Sequence, residues 1–217
     1  MLRHSALRAD SIQAQAITTM ENADVDSIIM GVAGVIRAYT REASVDARSN
    51  DAPQGAGAAF DEVKYPLDRT GVWRRAPKTL VVEEFVRRVV DALELDESSV
   101  VLGLILLERA MTTKQSKEDG SGAPLPLSAR TWRPALLMAI VVASKVVYDE
   151  KVFLADYREM LPMYNLTLAP QQELAFLDLV AYNTTVRRGQ YARYYYALED
   201  VSKTDWASSS GSRAAAF

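Results

Sequence analysis

The chain contains no cysteine and one histidine, His4, among its 217 residues. Without thiols there is no disulfide, no thiolate nucleophile and no cysteine-ligated zinc. With a single histidine close to the start, Ser-His-Asp catalysis and histidine metal sites have almost no material to work with. Strand patterning is absent: no segment of any strength alternates apolar and polar residues. Long hydrophobic runs are missing too. The longest uninterrupted apolar stretch, 135–143, is far short of the ~20 residues that a membrane-crossing helix needs. The opening Met-Leu-Arg-His-Ser has no secretory apolar region, and Leu2 stands where N-myristoylation requires glycine. Nor is there an excess of basic charge. Lys and Arg total 25 against 28 Asp and Glu, for a net charge of −3, which argues against a nucleic-acid surface as the main business. The expectation is a non-enzymatic intracellular protein of the cytoplasm, the nucleus or both. No cofactor, metal or membrane span is expected.

What is present is helix. Hydrophobic residues make up 49% of the chain, enough for one good core. Apolar residues recur at helical spacing over 24–43, where Val25, Ile28, Ile29, Val32, Val35, Ile36 and Tyr39 form one stripe. Residues 44–78 hold Pro53, Gly55, Gly57, Pro66 and Pro77 among scattered charges and read as a linker or an extended wrap. Thr79 can cap a helix running to about Leu93, with Leu80, Phe85, Val86, Val89 and Val90 facing inward. Asp96 can cap the next, through Val100 to Met111. After a polar loop over 112–127, a helix from about 128 to 148 follows. A short helix covers roughly 153–161, Thr167 and Pro170 open another to Tyr182, and the last spans about 189–201. The class is all-α. The expected organisation is an N-terminal extension (1–78), a helical core from residue 79 to 201, and a frayed tail over 202–217.

The stretch 134–147 is apolar on every side except for Lys145 near its end. Such a helix belongs at the centre of a bundle, and a lysine there is costly unless it reaches water or a carboxylate. The best-placed carboxylate is Glu173, in the first turn of the 170–182 helix. Together they could form an ion pair flanking an apolar groove lined by Val142, Val146, Leu174 and Leu177, a mixture suited to docking a helix. The plainer reading is a surface lysine and an unrelated glutamate favoured by the helix dipole. Other motifs carry less. Gln54-Gly-Ala-Gly-Ala and Gly120-Ser-Gly-Ala follow no predicted strand and read as loops rather than phosphate cradles. Tyr191, Tyr194, Tyr195 and Tyr196 could stack on bases, but packing of the last helix onto the bundle fits them better. Tyr148-Asp-Glu with Asp156 lacks the glycine-bearing spacing of a calcium loop.

Taken in order, these residues resemble the cyclin box, in particular the small single-box cyclins: cyclin Y, the plant P/U-type cyclins and the phosphate-responsive yeast cyclins. The resemblance covers roughly 82–198. Phe85-Val-Arg, Val100 and Val101, and Leu106-Leu-Glu-Arg resemble the first two box helices. Trp132-Arg and Val141-Val-Ala-Ser-Lys, then Tyr148-Asp-Glu, resemble the third helix and its turn. Ala155-Asp-Tyr resembles the fourth, and Glu173-Leu-Ala-Phe-Leu-Asp-Leu-Val-Ala-Tyr-Asn the fifth. The resemblance implies a five-helix cyclin-box bundle, with an extra helix at each end, that binds and activates a cyclin-dependent protein kinase. Lys145 and Glu173 match the lysine and glutamate that hold the kinase beside its C helix. Val142, Val146, Leu174, Leu177 and Tyr182 match the apolar part of that interface. Glu108 stands where many cyclins have aspartate, and the Met-Arg-x-Ile-Leu substrate-docking patch is not recognisable on the first helix. Only residues 202–217 follow the last predicted helix, so a single box is expected. Two other classes stay open: an all-α scaffold docking a non-kinase helix, and a cyclin-like transcription factor module.

Overall fold

The computed structural model describes residues 24–46, 52–69, 76–113, 123–148 and 154–213, the side chains of 44–46 and 205–213 excepted. Among these every regular element is helical: α1 (Val25–Asp46), a 3-10 turn (Gly55–Phe60), α2 (Thr79–Ala92), α3 (Glu97–Thr112), α4 (Trp132–Val147), α5 (Leu154–Met160), α6 (Ala169–Leu179) and α7 (Arg188–Arg213). The all-α expectation therefore matches. His4, Gly120-Ser-Gly and Asp149-Glu150 lie outside the described residues.

The centre is α3 packed against α4. Every residue from Trp132 to Ser144 is buried, as is every residue from Ser99 to Leu107. This is what an all-round apolar helix must do. Asp96 caps α3, accepting from the Ser99 amide at 3.2 Å. The start of α4 is later than expected. Residues 128–131 form a turn instead, in which Thr131 Oγ1 donates to the Pro126 carbonyl (2.6 Å) and accepts from the Ser128 amide (2.9 Å).

Several sequence expectations shift at the ends of elements. Thr79 is the first residue of α2 rather than its cap; Lys78 occupies the cap position without a side-chain bond. Leu80, expected inward, is 62% exposed, because it lies on the same face of α2 as Glu83, Glu84 and Arg87, opposite the buried Val82, Phe85 and Val86. The 170–182 helix stops at Leu179. Ala181 and Tyr182 take left-handed backbone angles (φ 53° and 54°), and the Tyr182 amide donates back to the Leu177 carbonyl at 2.7 Å. That bond closes a Schellman-type ending, made here without glycine. The last helix does not end near Val201. It continues to Arg213, with no proline to interrupt it and Gly211 accommodated within its last turn.

The largest difference lies ahead of residue 79. Helix α1 buries Ile28, Ile29, Val32, Ala33 and Ile36 in the same core as α3 and α4, and packs along α7 and α2. At the crossing of α1 and α7, a Cβ on Gly31 would stand 2.4 Å from the Leu198 carbonyl oxygen, so only glycine fits. Residues 52–69 form a strap that places Phe60 and Leu67 in the core and buries Asp61 and Glu62. Buried carboxylates demand partners. Arg130 supplies one for Asp61, with Nε at 3.0 Å from Oδ1. Arg133 supplies Glu62 (Nη2, 2.6 Å) and Asp68 (Nη1, 2.7 Å). Burial pushes the Glu62 carboxyl up, against the pull of Arg133. Burial also works against the charged Arg133, but its bonds to Glu62 and Asp68 outweigh that and raise its pKa.

Candidate functional site

The last turn of α4 and the second turn of α6 meet at one rim of the bundle. There Lys145 Nζ donates to Glu173 Oε1 at 2.7 Å, with both side chains partly buried. Lys145 is carried by the most deeply buried helix. Glu173 follows Pro170, which suits the first turn because it lacks an amide that would be unsatisfied there. The ammonium also lies 5.8 Å from the centre of the Tyr157 ring on α5, within cation–π range. Tyr157 is buried, and its hydroxyl pairs with Ser144 Oγ at 2.8 Å. Burial is the main cause that pushes the Tyr157 phenol up, with the Glu173 charge adding to it.

Around the pair the expected apolar residues divide. Val146 (47% exposed) and Leu174 (59%) are next to Lys145 and Glu173 in sequence and open to solvent. Leu177, one turn on from Glu173, is partly buried and packs on the core. Tyr182 is 60% exposed, just past the end of α6. Val142 is only 3% exposed, so it belongs to the core beneath the rim rather than to an accessible lining. The arrangement is a fixed charge pair with exposed apolar side chains beside it. Such a surface can seat an apolar helix face while an ammonium and a carboxylate bond to backbone or side-chain groups of the partner.

Tyr157 and Ser144 were legible only as parts of the Ala155-Asp-Tyr and Ala-Ser-Lys motifs; nothing in their spacing shows that they meet. A second polar centre also escapes sequence reasoning. Glu108, at the end of α3, accepts from Tyr39 of α1 at 2.6 Å through one oxygen and from Tyr194 of α7 through the other. Beside it, Arg109 donates to the carbonyls of Asn183 and Thr185, tying the link between α6 and α7 to α3. The tyrosines of α7 pack on the bundle: Tyr195 is buried, with its ring near those of Tyr191 and Tyr196.

Among the described residues no group of three or more His, Asp or Glu is placed to hold a metal ion, and no helix is long and apolar enough to cross a membrane. No family model matches the chain, and no solved structure matches it.

Proposed function

We propose that this chain is a cyclin-like, non-enzymatic regulatory subunit that docks a cyclin-dependent protein kinase on the rim formed by α4 and α6. In this reading α2 to α6 correspond to the five helices of a cyclin box, and α1 and α7 are the additional helices at its two ends. The observation that carries the proposal is the 2.7 Å Lys145–Glu173 pair, with the next residue of each helix, Val146 and Leu174, exposed to solvent. Two residues 28 apart in sequence, matched to the box's lysine and glutamate by motif alone, stand in contact where a helix could lie across them.

The mechanism follows from linkage. A kinase is competent when its strand lysine pairs with the glutamate of its C helix. A partner that binds only the conformation with that helix turned inward shifts the population toward it, by as much as its affinities for the two states differ. Lys145 and Glu173 would fix the register of the docked segment, and the apolar residues would supply affinity.

The test is binding. The double variant Lys145→Ala/Glu173→Ala should weaken association with the kinase recovered alongside the wild-type chain by at least about 2 kcal/mol, roughly thirtyfold, while far-ultraviolet circular dichroism stays unchanged. Equal affinity of the double variant and the wild type would sink the proposal.

A further inference from the structure

Two neighbouring stripes of α6 have different duties. Glu173 and Leu177 lie on one. Gln172 and Phe176, both buried, lie on the next, about 100° round the helix. The second stripe faces the strap. Gln172 Nε2 donates to the Ala59 carbonyl at 3.0 Å, and the Phe60 ring meets Phe176 edge-on with centres 6.4 Å apart. The strap's other fastenings lie elsewhere. Arg130 and Arg133, at the opening of α4, hold Asp61, Glu62 and Asp68, and the Glu62 amide donates to the Arg130 carbonyl at 3.0 Å. One segment therefore joins the start of α4 to the inner face of α6. The other end of α4, about 18 Å further along its axis, carries Lys145.

Helix α6 has 11 residues, too few to be stable by itself in water. Its position depends on what packs on its buried face: α3, α4 and the strap, whose Phe60 ring meets Phe176.

We propose that the 52–69 strap is a positioning device for α6, setting where Glu173 stands against Lys145. The docking face described above is then assembled only while the strap is fastened. Its bearing on docking rests on the proposed function; its hold on α6 does not. Phe60 and Gln172 are positioning residues that touch no partner.

Amide hydrogen exchange on the full chain tests this. Phe60→Ala should speed exchange of the 176–180 amides by about tenfold or more, relative to the 104–107 amides of α3, because α6 opens as a local unit. Phe60→Leu, which refills most of the space, should restore most of the protection. Equal acceleration in α6 and α3, or none in α6, would overturn the proposal. Should Phe60→Ala fail to fold, Gln172→Ala removes only the bond to Ala59 and must still accelerate α6 selectively. Kinase affinity is read in parallel. A variant with α6 selectively open but with wild-type affinity would overturn the link to docking. Failure of the wild-type chain to bind a kinase would instead defeat the docking reading and leave the exchange result standing.

Discussion

At Glu108 one carboxylate serves two helices. Its two oxygens take the hydroxyls of Tyr39 and Tyr194, so a single side chain of α3 joins the first described helix to the last. Glu108→Ala leaves both partly buried hydroxyls without their acceptor, and a donor deprived of its partner costs about 1–3 kcal/mol. Denaturant unfolding of Glu108→Ala should show a loss of that order, and Tyr39→Phe/Tyr194→Phe a change of the same sign. A wild-type midpoint in Glu108→Ala would contradict the assignment. The tyrosines also set the alkaline limit. Burial pushes the Tyr194 phenol up to about 12, with its bond to Glu108 adding to the effect, and burial pushes Tyr195 up to about 12 as well. Burial raises Tyr39 too, again reinforced by Glu108. An unfolded tyrosine ionises near pH 10. Raised folded values therefore mean that the stability these groups lend is fully present below pH 10 and is lost as pH rises from 10 through 12. Phenolate absorbance followed against circular dichroism should show late-titrating tyrosines whose ionisation accompanies unfolding. All ten tyrosines titrating near pH 10 with the fold intact would be the contrary result.

Among the elements, α1 is the one whose role differs most from its place in the chain. It crosses α7 backbone to backbone at Gly31, and Gly31→Ala would force a methyl into the Leu198 carbonyl. Because the obstacle is backbone, no side-chain rearrangement relieves it. The variant should lose more than about 2 kcal/mol of stability in thermal or denaturant unfolding. An unchanged midpoint would show that α1 does not sit where the structure places it. Apolar periodicity revealed this helix, as it did α2, because a buried stripe leaves a mark every three to four residues, whereas α4 showed as a run apolar on every side. Which neighbour receives the stripe is written nowhere in the stripe. The ends of elements were less legible. Leu80 shares a face with Glu83, Glu84 and Arg87, opposite the stripe of Val82, Phe85, Val86 and Val89, and Ala181 and Tyr182 end α6 in left-handed conformations that their residue types do not advertise.

On the scale of the whole molecule, α1, the strap and the helices from α2 to α7 share one core. The strap shows why that was hard to read. Asp61, Glu62 and Asp68 stand among prolines and glycines in a segment that reads equally as a linker or an extended wrap, since their burial depends on Arg130 and Arg133, some 65 to 71 residues further along the chain. The Lys145–Glu173 rim was partly legible. Each residue could be placed near a helix end from its own neighbours, and the box-like motifs suggested that they belong together. Their 2.7 Å contact depends on how α4 and α6 cross, which tertiary packing decides. The proposed role as a kinase-activating subunit stands on that rim, and phosphotransfer measures it most directly. With the co-purified kinase at fixed concentration, the wild-type chain should raise the rate of phosphate transfer to a protein substrate, and Lys145→Ala/Glu173→Ala at the same concentration should leave the rate at the level of the kinase alone. Equal activation by the two proteins, or no activation by the wild type, would contradict the account.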